Sequence, residues 1–339
     1  MSSLMEAAPS HKLRFNALNV ALKAAGEATR LRILSLLAEA ELTVSDLTAI
    51  LRQSQPRISR HLRLLADAGL VTRFREGSWA FFRLAEHDGA ADFARGLISR
   101  LDASDMTLVR DRERLAAVRA QRASDAQDYF RRHAGEWDRI RKLHVADEAV
   151  EQAITAALMD APINSLLDLG TGTGRMLELL GPDIQRGLGF DLSVDMLAFA
   201  RARLDRAGLR LCSVRQGDIY DLALPNDSFD AVVIHQVLHF LDDGARAITQ
   251  AARVLRPGGR LLVVDFAPHG LEFLRDEHAH RRLGFAPETV AEWMKSAGLS
   301  VSLHRTVAPE PEEKEKIAVS LWLGRDQRIL IAAPTREAA

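Results

Sequence analysis

The sequence predicts an α + α/β protein in which two folded domains are joined by a helical connector. At 339 residues the chain is long for one hydrophobic core and sufficient for two. Short amphipathic helices end in a basic, aromatic hairpin, a stretch nearly without Gly and Pro follows, and strands then alternate with helices as in a parallel sheet. The expected limits are 1–103 for the first domain, 104–160 for the connector, 161–326 for the second domain and 327–339 for a tail.

The composition excludes several classes of protein. Hydrophobic residues make up 47% and charged residues 27% of the chain, which is ordinary for a soluble globular protein. The start contains no basic region followed by an apolar run, and no apolar stretch approaches the roughly 18 residues that a membrane span needs. Cys212 is the only cysteine, which excludes intramolecular disulfides and cysteine-rich zinc sites. We therefore expect a cytoplasmic protein without a membrane partner.

The first domain begins with helices whose apolar residues recur at helical spacing. In the segment EATRLRILSLLAEA, one buried stripe is expected to contain Leu31, Ile33, Leu34 and Leu37. A second helix is predicted over VSDLTAIL, and Ser45 is the expected N-cap. A polar turn separates this helix from a third one, over QPRISRHLRLLADAGL, which ends at Gly69. The segment VTRFREGSWAFFRL then alternates about a Glu-Gly pair, which predicts a β-hairpin.

Polar and basic side chains remain on the outer face of the third helix and on the hairpin. Seven arginines and only two carboxylates lie between Arg52 and Arg83, a balance that suits contact with phosphates. A helix-turn-helix followed by a basic wing presents helix side chains to base edges and wing arginines to phosphates. The predicted DNA-binding residues are Ser54, Gln55, Arg57, Ser59, Arg60, Arg63, Arg73, Arg75 and Arg83. A protein-interaction module with a charged surface is the alternative.

The run from Ala28 to Leu84 resembles the ArsR/SmtB family of regulators, through EATRLRILSLL, ELTVSDL, SQPRISRHLRLLADAGLV and REGSWAFFRL. The resemblance implies a winged helix-turn-helix that binds an inverted repeat in double-stranded operator DNA. It also implies a homodimer, paired through helices at Leu13–Ala25 and Asp88–Arg100. Thr43 and Ser45 stand where metal-sensing members carry cysteines, and hydroxyls are poor ligands for soft metals. No metal site is assigned, and the signal must enter elsewhere.

The second domain opens with a strand, a glycine-rich turn and a helix, in the segment SLLDLGTGTGRMLELL. Asp168 lies one residue before the end of the strand, and Gly170, Gly172 and Gly174 follow. This motif alone is weak, because a nicotinamide-binding domain begins similarly. The next strand ends in Asp191, about twenty residues on, where a carboxylate can accept hydrogen bonds from ribose hydroxyls.

Further strand ends complete the pattern. A third strand ends in Gly-Asp-Ile at Asp218 and Ile219, and FDAVVIHQVLHFL and RLLVVDF supply a fourth and a fifth strand. Over 165–266 this set resembles class I S-adenosylmethionine-dependent methyltransferases of the ubiquinone/menaquinone-biosynthesis type. The resemblance implies a Rossmann-like sheet of seven strands, one of them antiparallel, completed near 299–305 and 317–323. The residues expected to bind S-adenosylmethionine or S-adenosylhomocysteine are Asp168, Gly170, Gly172, Gly174, Asp191, Leu192, Asp218, Ile219 and His235.

Several aromatic residues and histidines allow more than one interpretation. Tyr129, Phe130 and Trp137 either form a lid over the cofactor or pack against the sheet. His235 and His239 are weak candidates for a catalytic base, and they could equally orient the cofactor. We assign no catalytic residue on this basis. The pair His278 and His280 suits an acceptor-side loop or an interdomain contact better than a metal site, and Cys212 alone cannot support arsenite methylation.

Two functions remain open at this point. The first is a transcriptional regulator, a repressor, in which the methyltransferase-fold domain senses a small-molecule ligand. Fused chains of this kind resemble repressors of methionine-cycle genes that respond to S-adenosylhomocysteine. Closure of the 104–144 helices over the cofactor could transmit the signal to the dimer helix. The second is an active small-molecule methyltransferase with its own regulatory DNA-binding domain; whether the chain is an enzyme is left open, because the sequence shows no convincing acceptor site.

Overall fold

The computed structural model describes residues 12–76, 79–85, 88–137, 139–140, 147–309 and 316–328. The chain divides into two units, Met1–Ala123 and Ser124–Ala339. The first is helical with a small sheet and the second contains a seven-stranded, mainly parallel sheet, so the predicted α + α/β class is confirmed. Within the described ranges, no helix is both long and apolar enough to cross a membrane.

In the described residues, the first unit contains helices α1 to α5, the first part of α6, and one three-stranded sheet in the order β1-β3-β2. The elements in chain order are α1 (Phe15–Ala25), α2 (Ala28–Glu39), β1 (Leu42–Thr43), α3 (Val44–Leu51), α4 (Gln55–Asp67), β2 (Val71–Glu76), β3 (Trp79–Leu84), α5 (Asp88–Ile98) and α6 (Met106–His133), with the unit ending inside α6. Strands β2 and β3 pair from Val71↔Leu84 to Glu76↔Trp79, which is the predicted hairpin; Gly77 and Ser78 at its turn lie outside the described residues.

Helix α3 has the predicted range VSDLTAIL, but its N-cap differs from the prediction. Its N-cap is Thr43 and not Ser45. The Asp46 amide donates to Thr43 Oγ1 (3.2 Å), and the Thr43 amide donates to Asp46 Oδ2 (2.9 Å). This reciprocal capping box satisfies two backbone donors at once, whereas a helix that began after Ser45 would forgo it. The helix therefore starts two residues earlier than an N-cap at Ser45 would place it.

The core of the first unit contains three of the four residues of the apolar stripe predicted on α2; the fourth, Leu31, is only half-buried. Ile33, Leu34 and Leu37 on α2 are buried, as are Ile58, Leu62 and Leu65 on α4. The first part of α6 packs into the same core through Leu115. A bidentate ion pair joins Arg32 on α2 to Asp111 on α6, with both nitrogen–oxygen distances at 2.6 Å, and the Asp111 carboxylate is buried.

The second unit has the strand order β6-β5-β4-β7-β8-β10-β9, in which only β10 runs antiparallel to its neighbours. The predicted count of seven strands with one antiparallel is confirmed. The elements that follow α6 are α7 (Asp147–Leu158), β4 (Ile163–Leu169), α8 (Arg175–Leu180), β5 (Ile184–Asp191), α9 (Val194–Arg206), β6 (Cys212–Gln216), β7 (Phe229–His235), α10 (Gly244–Val254), β8 (Leu255–Phe266), α11 (Phe273–His278), α12 (Pro287–Ser296), β9 (Leu299–Val307) and β10 (Val319–Asp326).

The two faces of this sheet carry separate cores, as the alternation of side chains along a strand requires. On β4, Leu166 packs with residues of α7, α8 and α9, whereas Leu167 packs on the opposite face with residues of α10 and α12. Helices therefore cover both faces. Parallel strands β4 to β7 consequently end at one edge of the sheet, and the polar residues discussed next lie at that edge.

Candidate functional site

The glycine-rich loop between β4 and α8 has the left-handed backbone that its glycines permit. Gly170, Gly172 and Gly174 have φ values of 72°, 53° and 82°. A Cβ at Gly170 would lie 2.3 Å from Val237 Cγ2, so this glycine is required for close packing. At Gly172 the nearest heavy atoms would be 3.7 Å away, one of them Nε1 of Trp137. A Cβ at Gly172 would therefore make ordinary contacts, whereas one at Gly170 would clash with Val237.

Asp191, at the end of β5, ties this loop to the neighbouring strand. Its Oδ2 accepts a hydrogen bond from the Gly172 amide (2.8 Å), and its Oδ1 accepts one from the Ser193 amide (2.8 Å). Burial raises the pKa of this carboxyl, and the amide hydrogen bonds oppose that effect. Two ionised oxygens offer about four acceptor positions, so the carboxylate can still accept hydrogen bonds from a ligand.

Asp168 is enclosed beneath the same loop, with 1% of its surface exposed. Its Oδ2 accepts a hydrogen bond from Thr171 Oγ1 at 2.6 Å. Burial, aided by the nearby charge of Asp191, raises the pKa of Asp168 to about 7, although the Thr171 hydroxyl acts in the other direction. Asp168 therefore supports the loop from below and does not face solvent.

The other predicted cofactor residues also lie at the ends of β5, β6 and β7. Asp218 is exposed, and its Oδ1 accepts a hydrogen bond from the Tyr220 amide (2.8 Å). Leu192 is 40% exposed, and Ile219 and His235 are half-buried. The structure thus places all nine predicted cofactor residues on or directly after neighbouring strand ends, the usual position of a ligand site in an open α/β sheet.

A cavity lies near this loop, within the second unit. Its aromatic and apolar lining residues are Tyr129, Trp137, Ile140, Phe266 and Leu274, and its polar lining residues are Gln236, His239, His278 and His280. Tyr129 and Trp137 therefore face a cavity, whereas Phe130 packs edge-on against Phe240, with ring centroids 4.8 Å apart. Of the two histidine candidates after β7, His239 lines the cavity; His235 is not among the residues that line it.

Among the polar residues of this cavity region, sequence reasoning missed Gln236 and Asp265. Gln236 directly follows β7 and has the left-handed φ of 54°, which is uncommon for a residue with a side chain. Asp265 is fully buried in β8 and accepts a hydrogen bond from Nδ1 of His239 at 2.8 Å. A single carboxylate in the otherwise apolar run LLVVDF was the available signal for Asp265. No sequence signal distinguishes Gln236. In the part of the chain that the structure covers, no group of three or more potential metal ligands was found.

The predicted DNA-reading face lies on α4 and the residue before it. Ser54, Gln55 and Arg57 are exposed, Ser59 is half-buried, and Arg60 and Arg63 are exposed. Ile58, Leu62 and Leu65 of α4 are buried, whereas Leu64 is 41% exposed. The structure therefore places these six side chains along the outer side of one helix.

The wing separates its three arginines. Arg73 and Arg75 on β2 are exposed and share a face of the hairpin, since they are two residues apart on one strand. Arg83 pairs with Thr72 and therefore lies on the opposite face. Its guanidinium lies 3.7 Å from a carboxylate oxygen of Glu41 and 5.4 Å from the ring centroid of Phe74. Arg83 is thus held by the first unit itself.

Comparison with known families distinguishes the two parts of the chain. A family model described as bacterial regulatory protein, arsR family, matches residues 27–73, and one described as methyltransferase domain matches residues 167–263. The chain joins an arsR-family DNA-binding region to a methyltransferase domain. The first match contains α2, α3 and α4, and the second contains the glycine loop, Asp191, Asp218 and His239.

The chain is similar in sequence to individual methyltransferases. The chain is 33% identical over 104 residues to the uncharacterized methyltransferase YcgJ of Bacillus subtilis, covering 30% of this chain and 41% of that protein. It is 36% identical over 122 residues to the demethylmenaquinone methyltransferase of Thermus thermophilus, covering 34% and 53%. The chain spans 34–55% of the length of the first four curated relatives that it matches.

One solved structure shows the fold of the second unit. It is a complex between the Haloferax volcanii Trm112 methyltransferase activator and a methyltransferase. The similarity covers 60% of this chain and 98% of the matched chain, with 24% identity and a TM-score of 0.51. The arrangement of strands and helices is therefore one that methyltransferases use.

Proposed function

We propose that this protein is a DNA-binding transcriptional repressor in which the methyltransferase domain binds S-adenosylhomocysteine or S-adenosylmethionine and so controls DNA binding. The observation that carries the proposal is the exposed basic face of α4, with Arg57, Arg60 and Arg63, in a chain that also has an open glycine loop tied to Asp191. An exposed row of arginines on a helix-turn-helix suits phosphates and base edges.

The residues at the strand ends fit an adenosyl ligand. Asp191 retains acceptor positions for ribose hydroxyls, the exposed carboxylate of Asp218 can accept from an adenine amine, and the half-buried Ile219 offers an apolar surface to the ring. Trp137, which lines the cavity, lies 3.7 Å from the Cβ position of Gly172, so the cavity is close to the glycine loop. S-adenosylmethionine supplies an activated methyl group on sulfur, and S-adenosylhomocysteine is the form without it.

A homodimer fits the surface of α1. Phe15, Leu18 and Leu22 recur at spacings of three and four residues and are 83%, 36% and 50% exposed. A stripe of this kind on a helix is costly in water unless another surface covers it. A second copy of the chain, pairing through α1, would cover it and would present two α4 helices to the two halves of an inverted repeat.

Control of DNA binding requires that the ligand bind differently to the DNA-competent and DNA-incompetent states, by about 1–3 kcal/mol for a useful switch. We propose that the segment 104–144 transmits this difference. Part of α6, with Asp111 and Leu115, belongs to the packing of the first unit, and a later part, with Tyr129, lines the cavity of the second.

The test measures fluorescence anisotropy of a labelled duplex that the full-length protein has selected from a randomised pool. We expect S-adenosylhomocysteine or S-adenosylmethionine to change the duplex affinity at least about fivefold. Asp191→Asn should abolish the response while duplex binding without ligand persists, and Arg206→Ala, an exposed arginine on α9, serves as the control. Selection of no duplex, or an affinity that neither ligand changes, would contradict the proposal.

A second candidate function is catalysis of methyl transfer to a small molecule. One observation favours it, namely the cavity that His239 lines close to the glycine loop, where Trp137 both lines the cavity and lies 3.7 Å from the Cβ position of Gly172. An acceptor bound there would be near a methyl donor held by the loop. Mass spectrometry of a candidate acceptor incubated with S-adenosylmethionine and protein tests this directly, and a methylated product is expected only if the protein is an enzyme.

A further inference from the structure

The cavity contains a histidine with a fixed orientation. Nδ1 of His239 lies 2.8 Å from Oδ1 of Asp265, whose carboxylate is fully buried and also accepts the backbone amides of Phe266 (2.8 Å) and His239 (3.3 Å). A carboxylate can only accept, so the hydrogen of a neutral His239 ring lies on Nδ1. Nε2 is then a hydrogen-bond acceptor, and it is the ring nitrogen left to a ligand in the cavity.

The cavity also contains a hydrogen-bond donor. Gln236 is 6% exposed and lines the same cavity, and its Nε2 has no hydrogen-bond partner among the residues that the structure describes. The backbone of Gln236 has a positive φ of 54°, and its backbone N–H donates a hydrogen bond to the Val264 carbonyl at 2.7 Å. A buried amide donor without a partner is costly, and a backbone strained at such a site is usually maintained for a ligand.

The position of these groups is further fixed by the loop after α11. The carbonyl of His239 accepts the amides of Arg281 (2.9 Å) and Arg282 (3.0 Å). On the other side of the cavity, the Tyr129 hydroxyl lies 2.7 Å from Nδ1 of His278. Burial raises the pKa of Tyr129 to about 12, so the phenol keeps its proton at neutral pH while it is hydrogen-bonded to His278. A site held in this way needs little rearrangement to bind a ligand.

The remaining walls define the class of ligand. Trp137, Tyr129 and Phe266 provide aromatic surface, and the described residues that line the cavity include no Lys, Arg, Asp or Glu. A carboxylate or phosphate ligand would therefore find no opposite charge on the wall, whereas a flat neutral molecule could lie against the rings. A hydroxyl group meets both polar requirements, because it can donate to His239 Nε2 while its oxygen accepts from Gln236 Nε2.

We propose that this cavity is a binding site for a small, uncharged, planar molecule that carries an acidic hydroxyl group, of the phenol or enol class. The inference deepens the second candidate function, because such a molecule would lie beside the proposed cofactor site. It does not depend on DNA binding.

The experiment is a calorimetric titration of the full-length protein with four probes of similar size: catechol, its dimethyl ether veratrole, benzoate and benzylamine. We expect catechol to bind at least about tenfold more tightly than the other three. Veratrole has no hydroxyl hydrogen to donate to His239 Nε2, and the charges of benzoate and benzylamine find no opposite charge on the wall. His239→Asn should weaken catechol binding about tenfold and leave veratrole unchanged. His304→Asn, an exposed histidine on β9, is the matched control and should bind catechol as the wild type does.

Gln236→Leu is a second variant, with a side chain of similar volume, and it should also weaken catechol binding. It keeps the proposal testable if His239→Asn does not fold. Circular dichroism shows whether each variant is folded. Equal affinity for veratrole and catechol, tighter binding of benzoate or benzylamine, or full catechol affinity in a folded variant would overturn the proposal, as would a failure of catechol to bind. S-adenosylhomocysteine is titrated in parallel. If it binds and catechol does not, the proposed cofactor site stands and only this inference fails.

Discussion

Asp168 sits at the end of β4 with its carboxyl group removed from water, beneath the loop that begins at Gly170. Its ordinary pKa of 3.8 applies to the unfolded chain, and burial raises the pKa to about 7 in the folded protein. Between these pH values the folded state binds more protons than the unfolded state. The contribution of this group to stability is therefore full below about pH 4 and is lost as the pH rises to about 7.

Replacement of Asp168 by Asn removes this loss, because the amide cannot ionise and its oxygen still accepts the Thr171 hydroxyl. We expect the free energy of unfolding of Asp168→Asn, relative to wild type, to rise between pH 4 and pH 7 and to level off above pH 7. Urea denaturation at a series of pH values measures the difference, and the exposed Asp205→Asn is the control. Parallel pH profiles for wild type and Asp168→Asn would show that Asp168 is ionised in the folded protein at neutral pH.

The residues that sequence patterns predicted well are those fixed by local backbone requirements. Gly170 and Gly174 need the left-handed conformation, and Asp191 follows them at the separation that the strand–helix–strand unit sets. Gln236 and Asp265 could not be found in the same way. Their importance arises from distant parts of the chain, since Asp265 on β8 meets His239 only after the sheet has formed.

At the scale of elements, α3 illustrates how one hydrogen-bond pair decides where a helix begins. Both Thr43 and Ser45 are good N-cap residues, so the preference for a hydroxyl side chain at the N-cap does not separate them. Asp46 does, because it stands three residues after Thr43 and completes a capping box only with that residue.

Thr43→Val keeps the shape of the side chain and removes its hydroxyl. We expect a loss of about 1 kcal/mol in the free energy of unfolding of the first unit, from the unpaired amide of Asp46. Ser45→Ala should change stability by much less, because the Ser45 hydroxyl is not the cap. Thermal and urea denaturation of the two variants compare these values, and an equal loss in both would contradict the capping assignment.

Helix α4 is the element on which DNA recognition is proposed to depend. Arg60→Ala should weaken duplex binding and reduce the slope of log affinity against log salt by about 1, if the side chain contacts a phosphate. Arg206→Ala removes the same charge from an exposed position on α9 and should leave both quantities unchanged. Anisotropy titrations between low and physiological salt measure the slope; identical slopes for both variants would exclude the phosphate contact.

At the scale of the whole molecule, the stripe on α1 predicts the assembly. Leu22→Glu places a charge in the centre of the proposed interface at a position that is half exposed in one chain, so folding should persist. We expect wild type to be a dimer and the variant to be largely monomeric by light scattering, with weaker binding to a palindromic duplex. A monomeric wild type, or a variant that remains fully dimeric, would assign the stripe to another role.

The central claim is that one chain couples an adenosyl ligand to DNA, and calorimetry of the full-length protein tests it most directly. S-adenosylhomocysteine and S-adenosylmethionine are each titrated into the protein alone and into its complex with the selected duplex. Because linkage is reciprocal, a ligand that weakens DNA binding must itself bind more weakly to the complex by the same factor. We predict that the duplex weakens the binding of S-adenosylhomocysteine at least about fivefold. Equal dissociation constants with and without DNA, for both ligands, would contradict the account.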